Sequence, residues 1–182
     1  MLITGGRARG IPLRVPSRGS IRPATDQLRQ AVFSSLGSMV EGSQVLDLFA
    51  GTGSWGLEAY SRGATSVVFV ERDRGAIECL ATNRTAVAKS LGRPAGETSV
   101  VRSDVMKWQP GGDRTFDLVF ADPPFEMERI EELPELIFDR QLLKKEGWFI
   151  LEHSDQKKFS RDSRIHDQRK YGGVNFSLFA SQ

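Results

Sequence analysis

Val45-Leu46-Asp47-Leu48-Phe49-Ala50-Gly51-Thr52-Gly53-Ser54-Trp55-Gly56 is the stretch whose reading decides the fold. Six mostly apolar residues make a short buried strand, and the glycines that follow make a tight turn. A helical pattern then runs to about Arg62 and is closed by Gly63. A strand, a glycine turn and a helix in that order open a doubly wound α/β sheet, with ligands at the carboxyl ends of its strands.

Working outward, the alternation continues. Val67 to Val70 reads as the second strand, ending in Glu71, and a helix follows from Asp73 to about Leu91. Thr98 to Val101 is the third strand, with Asp104 just past it; Leu118 to Ala121 is the fourth. Met127 to Asp139 carries a helical pattern disturbed by Pro134, and Trp148 to Leu151 is the fifth strand. Arg164 to Tyr171 and Val174 to Ala180 read as a hairpin about Gly172-Gly173. The expected fold is a mostly parallel twisted sheet with a C-terminal antiparallel hairpin at one edge.

Ahead of that sheet, Leu2 to Leu13 reads as a small hairpin or an extended arm, the alternative being an arm that folds only on RNA. Thr25 is a good N-cap for a helix from Asp26 to about Leu36. Its buried stripe is Leu28, Val32 and Leu36, assisted by Phe33, and Arg22 and Arg29 are read off that stripe, facing substrate or solvent. The division expected is residues 1–40, a basic arm and helix, and residues 41–182, the domain built on the sheet.

Net charge is +2 over 182 residues, but it is unevenly placed. Residues 1–30 hold six arginines, Arg7, Arg9, Arg14, Arg18, Arg22 and Arg29, against Asp26 alone. Residues 153–182 hold six bases, among them Lys157, Lys158 and Arg161, against three acids, so the middle is acidic. A basic head and tail suit phosphate binding, and arginine favours bidentate contacts. Cys79 is the single cysteine, and His153 and His166 stand far apart, so neither a disulfide nor a metal site is expected. Arg7 and Arg9 leave no room for a leader's apolar region, no run is long enough for a membrane span, and a cytoplasmic monomer is expected.

The chemistry concentrates in two places. Asp117-Leu-Val-Phe-Ala-Asp122-Pro123-Pro124-Phe125 ends an apolar strand in an acid, two prolines and an aromatic plate. The prolines hold a stiff turn whose carbonyls stay free to accept, and Phe125 offers a face for stacking. Acceptor, carbonyls and plate suit a planar exocyclic amine. Gly51, Gly53 and Gly56 satisfy G-x-G-x-x-G, and Glu71 lies where a ribose-binding acid belongs, so a dinucleotide dehydrogenase is one candidate. Asp47, just before the glycines, argues for a cofactor with an ammonium and no pyrophosphate. Four acids at four strand ends (Asp47, Glu71, Asp104, Asp122) suit the cationic sulfonium of S-adenosylmethionine.

Val45-Leu-Asp-Leu-Phe-Ala-Gly-Thr-Gly-Ser54 resembles the cofactor motif of class I methyltransferases, and Asp122-Pro-Pro-Phe125 that of enzymes methylating exocyclic nitrogens. Gly5-Gly-Arg-Ala-Arg-Gly-Ile-Pro-Leu13, Ile21-Arg-Pro-Ala-Thr-Asp-Gln-Leu-Arg29, Gly56-Leu-Glu-Ala59 and Ser61-Arg-Gly-Ala64 narrow the likeness. Together they are similar to the bacterial RsmD-type 16S rRNA (guanine-N2)-methyltransferases along essentially the whole chain.

The resemblance implies a Rossmann-like fold and methyl transfer to the N2 amine of one guanine in 16S rRNA, within the small subunit or an assembly intermediate. It implies a catalytic set of Asp122, Pro123, Pro124 and Phe125, with Asp47, Gly51, Thr52, Gly53, Glu71, Arg72, Asp104 and Val105 holding the cofactor. Arg7, Arg9, Arg22, Thr25 and Arg29 would meet the RNA. Trp55 stands where the family more often has an aliphatic residue, which opens the question of packing beneath the cofactor. Two rival readings stand beside it: an adenine-N6 methyltransferase on RNA or DNA, and a non-catalytic RNA-binding module of the same fold.

Overall fold

The computed structural model describes residues 1–16, 25–155, 159, 162–171 and 173–181. Helix α1, Thr25–Leu36, leads into strand β1, Gln44–Leu48, and helix α2, Ser54–Ser61. Strand β2, Ser66–Glu71, helix α3, Arg74–Leu91, and strands β3, Thr98–Arg102, and β4, Phe116–Ala121, follow. Helix α4, Leu133–Asp139, strand β5, Leu143–Ser154, and the hairpin of β6, Ile165–Tyr171, and β7, Val174–Ala180, close the chain.

The seven strands form one sheet in the order β3-β2-β1-β4-β5-β7-β6, with β1 to β5 parallel and β7 antiparallel to both its neighbours. This is an α/β Rossmann-like sheet closed by an antiparallel hairpin, as the alternation predicts. The order reverses between β1 and β4, the switch point at which such sheets bind ligands.

The sheet separates two apolar layers. One side packs Val45, Leu118, Phe120 and Ile150 against α1, α2 and the N-terminal residues Ile3, Ala8 and Leu13. The other packs Leu46, Leu48, Val119, Phe149 and Leu151 against Leu133 and Ile137 of α4. Alternate residues of the central strands fall on opposite sides, the period-2 consequence of a sheet covered on both faces.

Four expectations need correcting. The fifth strand is Leu143–Ser154, not Trp148–Leu151. Glu152 and His153 cut short the apolar run, yet both are buried because β7 pairs along this whole end. Met127 to Asp139 is not one helix: a turn and a short 3₁₀ segment, Ile130–Glu132, precede α4. Pro134 lies in the first turn of α4, where its missing N–H costs nothing, so it starts a helix rather than disturbing one.

The N-terminal segment is a folded hairpin. Leu2 bridges Pro12, and Ile3, 0% exposed, exchanges backbone bonds with Ile11 and Gly10. Its turn sits directly on the end of α2, where Arg7 N–H donates to the Ser61 carbonyl at 2.8 Å. Gly6 is required there: its φ is +74°, and a Cβ would lie 2.1 Å from that same carbonyl oxygen.

The fourth correction is Arg29. It stands three residues before Val32, four before Phe33 and seven before Leu36, which puts it within the buried stripe, and it is 1% exposed. Its guanidinium donates to Glu58 at 3.3 Å, to Asp26 at 2.8 Å and to the Leu2 carbonyl. A cation so enclosed cannot reach RNA phosphate. Arg22, and Lys157, Lys158 and Arg161 with it, lie outside the described residues, and of Thr25 the backbone alone is described, as the first residue of α1.

Candidate active site

The glycine turn begins with a strained residue. Phe49 has φ 56°, unusual for a bulky side chain, as the chain leaves β1 abruptly. Ala50 N–H then donates to Val70 O at 3.1 Å and Gly53 N–H to Ala50 O at 2.7 Å, which locks the turn. A Cβ on Gly56 would meet the Phe69 ring at 2.4 Å, so the third glycine lets α2 lie close on β2. Trp55 is settled as well: it stacks on Phe120 at 5.5 Å and touches Phe33 and Phe176, so it belongs to the core between α1 and the sheet.

Asp47 is 1% exposed and points towards α2. Its Oδ2 accepts from Gly56 N–H at 2.8 Å. Among the described residues, its Oδ1 is the buried side-chain oxygen without a hydrogen-bond partner. Burial pushes the carboxyl well above the usual range; the Gly56 N–H opposes this, and the charges of Asp122 and Glu71 add to it. Asp47, Asp122 and Glu71 therefore share one field at the carboxyl edge of the sheet.

Glu71 stitches that edge together. One oxygen accepts from Gly51 N–H at 2.7 Å, and the other from the N–H groups of Arg72 and Asp73 at 2.8 Å each. A carboxylate has about four lone-pair positions, so one remains for a hydroxyl. Asp104 follows β3 and accepts from Met106 N–H at 3.0 Å, while Val105 is 3% exposed in the opposite apolar layer. Arg140 reaches across to the carbonyls of Val105, at 3.2 Å, Met106, at 2.6 Å, and Trp108, and fixes this loop. Thr52 and Gly51 are half-exposed at the turn. Asn83 of α3, 1% exposed, donates to Thr52 O at 2.9 Å and to Arg14 O at 3.0 Å, and accepts from Arg14 N–H at 2.7 Å.

Asp122 is half-buried at the end of β4, Pro123 is buried, Pro124 exposed and Phe125 half-buried against the α1/α2 layer. Met127 N–H donates to Pro124 O at 2.9 Å, closing the turn over that end. The structure thus brings Asp47, Gly51, Thr52, Gly53, Glu71 and Asp122 to one rim. Arg7 and Arg9 are exposed but elsewhere: their turn docks at the far end of α2, about 10 Å along the helix from the glycines.

Sequence reasoning missed Glu58. It is 0% exposed and accepts from Thr4 N–H at 2.7 Å, Thr4 Oγ1 at 2.8 Å, Arg62 Nε at 2.8 Å and Arg29 Nε. An acid flanked by Leu57 and Ala59 in an otherwise apolar helix was the available signal.

An orphaned carboxylate oxygen, a glycine turn and an acid at the end of β2 fit a cofactor carrying an ammonium and a ribose. The comparisons with known proteins agree. The family model described as Conserved hypothetical protein 95 matches residues 1–180. Ribosomal RNA small subunit methyltransferase D of Escherichia coli K12 is 35% identical over 97% of this chain and 88% of its own. The methyltransferase D of Haemophilus influenzae is 33% identical over 85% of this chain and 79% of its own. Among solved structures, the RsmC 16S rRNA N2 methyltransferase of Thermus thermophilus, with AdoMet and guanosine, shares the fold. Its TM-score is 0.69, at 23% identity over 91% of this chain and 45% of that one. With a whole-length family match and that identity to the E. coli enzyme, the chain belongs to the RsmD family of S-adenosylmethionine-dependent methyltransferases.

Proposed function

We propose that this protein methylates the exocyclic N2 amine of one guanine in 16S rRNA of the small ribosomal subunit or an assembly intermediate, acting as a monomer. The rRNA substrate is suggested by what its relatives are named for. The observation that carries the reading is the position of Asp122-Pro123-Pro124-Phe125 at the end of β4, beside the strand that bears Asp47 and within its electrostatic reach.

When bound, S-adenosylmethionine supplies an electrophilic methyl on a sulfonium sulfur. Asp47 Oδ1 would accept from its ammonium, the backbone of Gly51, Thr52 and Gly53 would line it, and Glu71, beside Arg72, would accept from its ribose. Asp104 and the Val105 N–H would take the adenine edge. The N2 lone pair of guanine is delocalised into the ring. Asp122 Oδ and the Pro123 carbonyl hold the two N–H groups so that the lone pair turns out of the ring plane. Asp122 then faces the positive charge growing on nitrogen, and the methylated amine, acidic once cationic, passes its proton to solvent, so no strong base is needed. Phe125 stacks on the base, worth about 1–3 kcal/mol on comparable platforms. Orientation supplies much of the rate. Residues 1–40 form the RNA side, with Arg7, Arg9, Arg22 and Thr25 as contacts, and residues 41–182 carry the transfer.

Tritiated S-adenosylmethionine with small subunits lacking the modification should label N2 of a single guanine. Asp122→Asn should slow that transfer about 10²- to 10³-fold, while calorimetric affinity for S-adenosylhomocysteine stays unchanged. Label on an adenine amine, or full turnover in the variant, overturns the reading.

A further inference from the structure

Glu152 is a buried acid that the roles above leave unused. It lies near the carboxyl end of β5 and is 6% exposed. In the β4–β5 register Phe120 pairs with Ile150 and Ala121 with Leu151, so Asp122 and Glu152 follow next on neighbouring strands. Phe120 and Ile150 both face the α1/α2 layer, and so does Phe176, which pairs with Glu152 across β7. By the period-2 alternation Glu152 faces that layer too, the side from which Asp47 meets α2. Both Asp122 and Glu152 have partners in the protein, and a carboxylate offers about four acceptor positions.

Two carboxylates at neighbouring positions of adjacent strands, whose backbones run about 4.8 Å apart, suit a ligand that presents donors side by side. Among the standard bases the Watson–Crick edge of guanine does this, with N1–H next to the N2 amine. Adenine and cytosine place a ring-nitrogen acceptor beside their amine, and a carboxylate lone pair repels it. A site built to accept from a donor rejects a base that lacks it, because the site's own acceptor is then left unpaired.

We propose that Glu152 accepts the N1–H of the target base and is the residue that makes the site select guanine, Asp122 holding the neighbouring N2 amine. This rests on the N2 reading above and deepens it.

The test uses nucleosides as competitors of methyl transfer to small subunits lacking the modification. Guanosine offers both donors, inosine keeps N1–H without the amine, and 2-aminopurine riboside keeps the amine without N1–H. Glu152→Gln should weaken inhibition by guanosine and inosine about 10- to 100-fold, the scale of one hydrogen bond to a charged group, and strengthen that by 2-aminopurine riboside, whose N1 acceptor the carboxylate repels and the Gln amide can meet. Asp122→Asn should give the reverse pattern, sparing inosine. Glu152→Asp, which keeps the charge one methylene further back, should show the same ordering in weaker form. Unchanged S-adenosylhomocysteine affinity certifies the fold of each variant.

Equal loss for all three nucleosides would make Glu152 a structural residue and overturn the proposal, as would unchanged preference in Glu152→Gln. The N2 reading fails differently: the wild-type protein would then place its label on another atom, or be competed by adenosine better than by guanosine.

Discussion

Asp47 and Glu58 are both carboxylates shut away against helix α2, at 1% and 0% exposure, and the chain treats them in opposite ways. Glu58 receives four donors from three residues and ties the N-terminal hairpin, α1 and α2 into one unit. Asp47 receives one backbone N–H on one oxygen and nothing on the other. Burying an acid is costly, and completing its hydrogen bonds offsets that cost. On the proposed reading, the fold completes one set and leaves its neighbour open for a ligand. Satisfied and unsatisfied burial thus separate architecture from chemistry within one helix length.

Removing Glu58 should do the greatest damage. Glu58→Ala leaves Arg29 without its fully buried counter-charge, with only the part-exposed Asp26 remaining, and Thr4 without its acceptor. Breaking a buried pair from one side costs about 3–5 kcal/mol, to be read as a lowered midpoint in urea or thermal unfolding. A loss under about 1 kcal/mol would place the pair with ordinary surface ion pairs and end the contrast.

Asp47→Asn should do the converse. Its affinity for S-adenosylhomocysteine should fall about 10- to 100-fold, the scale of one charged hydrogen bond, while stability holds or rises slightly. The pH dependence follows from the raised pKa, caused first by burial and then by Asp122 and Glu71. A carboxyl so raised keeps its proton in the folded chain after the unfolded chain has lost it. Its contribution to stability is therefore present at low pH and is lost as pH climbs from about 4 through the folded value. A bound ammonium favours the ionised form, so wild-type affinity should rise over that same window, with proton release in calorimetry. The variant should lose this rise. A stability loss matching that of Glu58→Ala would show Asp47 to be architectural as well.

The sheet, and the gathering of the glycine turn and its acids at one rim, were legible because they are written in short-range patterns. An apolar run, glycines at fixed offsets and an acid at each strand end all lie within a few residues of one another. Positions set by distant pairing were not. The length of β5 depends on β7 lying alongside it, so Glu152 and His153 read as the strand's end when they are its buried continuation. Arg29 reads off the buried stripe, facing substrate or solvent, whereas the structure buries it. Its spacing from Val32, Phe33 and Leu36 agrees with that burial, and its partner Glu58 is 29 residues away. A buried ion pair cannot be read until both halves are seen to meet.

The smallest effects belong to the two arginines of the same arm that stay in solvent. Arg29 is enclosed by protein partners, whereas Arg7 and Arg9 are exposed on the hairpin turn at the far end of α2. That distance excludes them from the transfer step but not from the phosphates flanking a target that has been splayed out of its helix. On the proposed reading each such contact releases counterions on binding. Arg7→Ala and Arg9→Ala should then lower the slope of log affinity against log salt by about 0.7–0.9 apiece. S-adenosylhomocysteine affinity and the unfolding midpoint should not move. Filter binding of rRNA across a salt series reads the slope directly. A slope that holds in the double variant would remove the hairpin from the RNA interface. Its docking through Thr4, Gly6 and Arg7 onto α2 would then be purely architectural, and the basic head of the chain would divide into buried and idle charge.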